Sequence, residues 1–178
     1  MATTKHTIVA LVEDKPGVLN RVASLFRRRG FNIESIAVGH SEVPHLSRMT
    51  IIVDGATTAV EQVRKQLEKV VEVVKVLDIT DESIISRELA LIKVKATLAT
   101  RSGIIEIVDV FRANIVDVAL DSVTIEVTGD EDKINSLLDL LTSYGIKEVA
   151  RTGRIALTRG STSLLQKEEK LPESRGKR

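Results

Sequence analysis

The stretch that decides the fold is VEDKPGVLNRVASLFRRRGFNIESI, residues 12–36, because the spacing of its apolar residues changes at a Pro-Gly pair. Residues 7–12, which lead into it, form a short apolar run rich in β-branched side chains, and this predicts a buried strand. From Pro16 the apolar residues recur at helical spacing, and a glycine follows the last of them, so we expect a helix there. Residues 31–39 predict a second strand. The turn at residues 14–17 therefore joins a strand to a helix.

The first half of the chain continues this alternation. Residues 48–54 predict a strand, residues 58–70 a helix and residues 71–79 another strand. The resulting order βαββαβ is that of the split-βαβ or ferredoxin-like fold, in which two helices lie on one face of a four-stranded sheet. We expect the opposite face of this sheet to be open to a partner.

The second half repeats the same order of elements. Its predicted strands are residues 88–97, 114–120, 123–128 and 146–157, and its predicted helices are residues 102–111 and 130–142. The fold class predicted is therefore α+β, with two tandem ferredoxin-like βαββαβ domains at residues 5–80 and 84–159. Residues 160–178 are polar, charged and without period, which predicts a disordered tail.

Composition narrows the classes of function. The formal net charge is +1, so no strong field draws the chain to nucleic acid or to a membrane surface. Three Phe, one Tyr and no Trp leave few platforms for stacking bases, and the absence of Cys excludes disulfides and Cys-based metal sites. No apolar run is long enough to span a bilayer, and the apolar stretch near the N-terminus is too short for a secretory leader. We expect a cytoplasmic protein with an aliphatic core.

The turn before the first helix has chemistry suited to a free amino acid. A helix N-terminus presents unpaired N–H groups and the positive end of the dipole, which suits a carboxylate. Pro16 has no N–H, so the donors would come from Gly17, Val18 and Leu19. Gly17 also lets a ligand approach the backbone closely, and Asp14 can accept bonds from an ammonium group. The alternative is structural: Asp14 caps the helix and the Pro-Gly pair only makes the turn.

The sequence DKPGVL (residues 14–19) at the first strand–helix junction resembles the ACT domain, a sensing module that usually binds amino acids. Further blocks extend the resemblance beyond the module: FNIESI (31–36), LSRMTI (46–51), RELALIKV (87–94) and ARTG (150–153). In this order they resemble the regulatory (small) subunit of acetohydroxyacid synthase, also called acetolactate synthase, over residues 5–160. That subunit has an N-terminal ACT domain and a C-terminal ACT-like domain, as the repeated order of elements suggests.

The resemblance implies a regulatory function without catalysis. The family subunit binds a large catalytic subunit in branched-chain amino-acid biosynthesis, raises its activity and confers feedback inhibition by valine or a related amino acid. The resemblance implies no cofactor or metal on this chain, with thiamine diphosphate, Mg2+ and FAD expected on the large subunit. It also implies a homodimer formed through the ACT domain. The alternative is a free-standing ACT-type amino-acid sensor that acts on another partner.

The resemblance further implies an effector site between the ACT domains of two copies. The residues carried over are Asp14, Gly17, Val18 and Leu19 on one side, and Asn32 and Ile33 from the partner copy on the other. The corresponding turn in the second domain, residues 100–103, lacks the Asp and the Pro. We expect no effector there.

Other charged groups have simpler explanations. His40 and His45, with Glu42 between them, are too few ligands for a structured zinc site. Residues 130–132 are acidic where a helix begins, and residues 27–29 are basic where one ends, as the helix dipole favours. Contact of these arginines with an acidic partner surface is the alternative. The sequence offers no nucleophile–base set and no DNA-binding element, so we predict neither an enzyme nor a transcriptional sensor.

Overall fold

The computed structural model describes residues 4–161 and residue 163. The first half of the chain contains β1 (Thr4–Glu13), α1 (Val18–Arg28), β2 (Ile33–His40), β3 (Leu46–Gly55), α2 (Thr57–Leu67) and β4 (Val73–Asp78). The second half contains β5 (Ile84–Lys95), α3 (Arg101–Val110), β6 (Asn114–Val118), β7 (Ser122–Gly129), α4 (Glu131–Thr142), β8 (Ile146–Arg151) and β9 (Ile155–Thr158). None of these helices is long and apolar enough to cross a membrane.

The two halves have the same topology. The strands of the first sheet lie in the order β2-β3-β1-β4 and those of the second in the order β6-β7-β5-β8, with antiparallel neighbours throughout. This confirms the prediction of two tandem ferredoxin-like units. The limits of the two domains stay a prediction, and the predicted tail lies almost entirely outside the described residues.

The helices cover one face of the first sheet. Ile8, Ala10 and Val12 alternate along β1 and pack with Val22 and Phe26 of α1 in a fully buried core. Because successive side chains of a strand point to opposite faces, the intervening residues of β1 lie on the other side of the sheet. A similar core lies between the second sheet and its helices.

The other face of the first sheet is not open around β1, so that expectation was wrong. Val9 and Leu11 are fully buried there and cluster with Ile79 and with Ala156 of β9. Arg48 of β3 donates to the carbonyl oxygen of Ala156 at 2.8 Å, and burial lowers the pKa of this guanidinium. The N-terminal end of β5 and β9 together therefore form a cover over the first sheet.

This cover exists because the predicted closing strand is in fact two strands. Gly153 has a φ of 81° and separates β8 from β9, which allows the chain to change direction after β8. β9 then pairs with residues 84–87, so that β5 begins four residues before the predicted start at residue 88.

Candidate functional site

The turn before α1 is held in the conformation that a glycine favours. Gly17 is the N-cap residue, with φ 87° and ψ −9°, and no side chain of the described residues caps this end of the helix by a hydrogen bond. Asp14 therefore does not cap α1, and the structural alternative for this residue was wrong. Its carboxylate is half exposed and lies 3.4 Å from Nδ1 of His40.

Several backbone amides at this turn are free. The amide of Val18 donates weakly to the carbonyl of Lys15 at 3.4 Å. Within the part of the chain that the structure describes, the amides of Gly17, Leu19 and Asn20 have no partner. Two of the three predicted donors are thus available. Sequence reasoning missed Asn20, although the rule that the first amides of a helix lack partners would have included it.

The side chains around the turn leave room for a ligand. Val18 is buried in the core and offers only its backbone, whereas Leu19 is 47% exposed. A Cβ added to Gly17 would meet no atom within 4 Å in the part of the chain that the structure describes. We call Asp14, Gly17, Val18 and Leu19 the turn half-site. It combines free N–H donors, a carboxylate and an apolar side chain, which complement the parts of an apolar amino acid.

Apart from Asp14, the charged side chains near the turn form ion pairs with each other. Lys15 lies 2.7 Å from the carboxylate of Glu13, and this hydrogen bond raises the pKa of Lys15. Arg21, one turn into α1, pairs with Glu72. The surroundings therefore suit a zwitterion better than an ion of either sign.

Asn32 and Ile33 lie away from the turn half-site. α1 separates them from Gly17, and its eleven residues span about 16 Å. With Phe31 and residues of α1 they line a shallow depression of about 410 Å³, and we call Asn32 and Ile33 the strand half-site. β2 is an edge strand that pairs only with β3 in the described part of the chain. One chain by itself does not bring the two half-sites together.

The equivalent turn in the second domain has a different structure. Thr100 precedes α3 in a right-handed conformation, and its hydroxyl accepts a hydrogen bond from the amide of Thr97 at 2.9 Å. The hydroxyl of Tyr144 would lie 2.9 Å from a Cβ on Gly103, so a side chain already occupies this space. The absence of an effector there stays a prediction.

The histidines do not gather into a cluster. Within residues 4–161 no group of three or more His, Cys, Asp or Glu residues is placed to hold a metal ion. His40 lies beside Asp14, and Nδ1 of the buried His6 lies 3.2 Å from the carboxylate of Asp78.

Two family models match most of the chain. The model described as the AHAS small subunit-like ACT domain matches residues 8–75, and the model described as the small subunit of acetolactate synthase matches residues 87–160. This chain belongs to the acetolactate synthase small-subunit family. The two matches fall on the two sheets in chain order.

Individual relatives agree with the small-subunit assignment over nearly their whole length. The probable acetolactate synthase small subunit of Archaeoglobus fulgidus is 60% identical over 88% of this chain and 98% of its own. The acetolactate synthase small subunit of Bacillus subtilis is 50% identical over 88% of this chain and 92% of its own. The crystal structure of the small subunit from Thermotoga maritima superposes with a TM-score of 0.82, at 42% identity, over 89% of this chain and 99% of that one.

Proposed function

We propose that this small subunit is a non-catalytic regulator that assembles with the catalytic subunit of acetolactate synthase. It raises the activity of that subunit and makes it sensitive to valine or a related branched-chain amino acid. Family membership supports the choice of partner. The observation that carries the choice of effector is the pair of free amides at Gly17 and Leu19 beside the carboxylate of Asp14.

The chemistry of the turn half-site gives each part of the effector a contact. The effector carboxylate accepts hydrogen bonds from the amides of Gly17 and Leu19, and the helix dipole adds to their attraction. The ammonium group donates to Asp14, and the branched side chain packs against Leu19. Hydrogen bonds to charged groups contribute about 1.5–3 kcal/mol each, which is roughly tenfold or more in affinity.

A second copy of the chain completes the site. In a pair with two-fold symmetry, a contact from the turn of one copy to the strand half-site of the other occurs twice. Each effector then lies between Asp14 of one copy and Asn32 of the partner subunit. The open edge of β2 supports this arrangement, because the strand half-site lies at its start.

Regulation follows from the different affinities of the effector for two states of the holoenzyme. Effector and catalytic subunit must change each other's affinity for the small subunit by the same factor. The small subunit has no cofactor in this proposal. Thiamine diphosphate, Mg2+ and FAD belong to the catalytic subunit, where the acetolactate synthase chemistry takes place.

Calorimetric titration with valine, leucine and isoleucine, with and without the catalytic subunit, tests the proposal. We expect the chain alone to bind at least one of them as a dimer and to convert no pyruvate. Adding it to the catalytic subunit should raise pyruvate conversion, and the effector should then lower it. Failure to co-purify with the catalytic subunit, or to bind any of the three amino acids, would count against the proposal.

A further inference from the structure

The segment between β8 and β9 lies directly against β2. Gly153 in this segment would place a Cβ 2.8 Å from the carbonyl oxygen of Ile36 and 3.1 Å from Oγ of Ser35. The amide of Arg154 donates to the same Oγ at 2.8 Å. No residue larger than glycine fits without displacement, so the C-terminal half of the molecule is in direct backbone contact with the strand that begins at the strand half-site.

Charged side chains extend this contact to α4. Nζ of Lys5 on β1 donates to Glu34 of β2 at 2.6 Å and to Glu131 at the start of α4 at 3.2 Å. Glu131 also pairs with Arg154. We call Glu34, Lys5, Glu131 and Arg154 the charge chain. The side chains of Arg154 and Glu131 are only 17% and 29% exposed, so solvent ions screen this pair less than a fully exposed one.

Glu34 lies at an irregularity in β2. The pairing register between β2 and β3 shifts between Ile33 and Ser35, which leaves Glu34 as a bulged residue. A bulge bends the strand and changes the direction of a side chain, here towards Lys5. The bulge therefore lies next to the strand half-site on one side and next to the contact with Gly153 on the other.

We infer that binding at the strand half-site changes the packing of α4 and of the β8–β9 segment. The charge chain and the Gly153 contact connect these parts of the molecule. This inference rests on the proposed function, because it concerns regulation through the same effector site. When an effector and a second copy contact Asn32 and Ile33, a shift of β2 also moves Glu34 and Ser35. Ser35 accepts a hydrogen bond from Arg154 in the C-terminal half, and Glu34 is linked to Glu131 of that half through Lys5. The packing of the two halves therefore changes with occupancy.

The variant Glu131→Gln, in the full chain, tests this inference with the catalytic subunit present. Asp132→Asn is the matched control, since Asp132 is exposed on the same helical turn and forms no ion pair within the described residues. For Glu131→Gln we expect valine affinity of the chain alone to stay within about twofold. We compare valine affinity with and without the catalytic subunit, and the ratio of the two should fall towards one in this variant. In typical allosteric proteins such a ratio is about 5–150-fold. Asp132→Asn should behave as the wild type, and a wild-type ratio for Glu131→Gln would overturn the inference.

Hydrogen exchange in the effector-free chain gives a second measurement that does not depend on valine. Glu131→Gln should raise the exchange of the amides at residues 33–36 above that of Asp132→Asn, because β2 loses a restraint. Equal exchange in the two variants would overturn the inference. If the wild-type chain binds none of the three amino acids, the proposed function fails, and the exchange experiment still decides whether β2 and α4 are coupled.

Discussion

Gly17 is the single residue on which the turn half-site depends most, because both its conformation and its missing side chain matter. We predict that Gly17→Asp lowers effector affinity roughly tenfold or more, since it places a negative charge at the position proposed for the effector carboxylate. The folded chain should lose only about 1 kcal/mol, because aspartate tolerates a positive φ better than most residues and no atom lies within 4 Å of the new Cβ. Calorimetry and urea unfolding measure these two effects.

Gly160→Asp is the matched control for this variant. Gly160 also has a positive φ, of 95°, and a Cβ there also meets nothing within 4 Å among the described residues, but Gly160 lies beyond β9. The Gly160→Asp variant should bind the effector as tightly as the wild type does. Stimulation of the catalytic subunit should survive in both variants. If Gly17→Asp abolishes stimulation as well as binding while the fold is intact, effector binding and activation are not separate functions.

Glu131 has a pKa that reports on the charge chain. Partial burial alone would raise the pKa of this carboxyl, but the hydrogen bond from Lys5 and the charge of Arg154 outweigh it and lower the pKa. Because the pKa is lower in the folded state, the ionised carboxylate stabilises the fold at pH values above the ordinary glutamate pKa of about 4.3. This stabilisation is lost as the pH falls through the lowered pKa. We predict that Lys5→Gln raises the pKa of Glu131, as measured by carboxyl-carbon NMR titration.

The ion pair between Lys147 and Asp121 provides the control for that titration. Lys147 lowers the pKa of Asp121 through a hydrogen bond of 2.6 Å, and neither residue belongs to the charge chain. Lys147→Gln should therefore raise the pKa of Asp121 and leave that of Glu131 unchanged. An unchanged Glu131 pKa in Lys5→Gln would mean that the two groups are not paired in solution.

The residue-level predictions from sequence succeeded where local rules apply. Pro16 and Gly17 were correctly predicted to form the turn, because a Pro-Gly pair between two hydrophobic periods has few other conformations. The acidic residues at 130–132 were correctly placed at a helix start, where Asp130 accepts from the amide of Lys133 at 2.9 Å. The role of Glu131 between the two halves was missed, because partners 126 and 23 residues away leave no local pattern.

At the scale of elements, the segment between β8 and β9 depends on Gly153. We predict that Gly153→Ala costs about 1–3 kcal/mol more in free energy of unfolding than Gly160→Ala, as measured by urea titration. Both positions require a positive φ, but only at Gly153 does the new methyl group meet a backbone oxygen, at 2.8 Å. Equal costs in the two variants would mean that β2 and this segment separate easily.

The elements that sequence predicted well are those whose burial follows from their own periodicity. The bounds of α1 to α4 lie within a few residues of the predicted helices, because each has one apolar face towards a sheet. The sequence did not predict that β9 is separate from β8, or that β5 begins at residue 84. Their positions depend on pairing with each other across some seventy residues and on burial over the first sheet, and neither leaves a period in the local sequence.

At the scale of the whole molecule, the two halves are joined on two sides. One contact is the cover that β5 and β9 form over β1, and the other is the charge chain beside β2. The first half therefore differs from an independent ferredoxin-like unit with one free sheet face. By the proposed coupling, a change in the packing of the C-terminal half reaches β2 without any contact to an effector.

The cover also decides what happens when the C-terminal half is removed. We predict that a chain ending after Ile79 aggregates at micromolar concentration, because Val9 and Leu11 lose Ile84 and Ala156 from their cluster and become partly exposed. Full exposure of two such side chains would cost about 3–6 kcal/mol, which is the upper bound here and a large share of the roughly 5–15 kcal/mol that stabilises a typical domain. Size-exclusion chromatography with light scattering measures the outcome.

Two further chains distinguish loss of the cover from a general effect of truncation. A chain ending after Ser163 keeps β9 and should behave like the full chain. The short chain with Val9→Thr and Leu11→Thr should aggregate less, because a polar strand face tolerates water. If the unmodified short chain is a stable dimer that unfolds at the same urea concentration as the full chain, the cover contributes little. Coupling between the halves would then rest on the charge chain and the Gly153 contact alone.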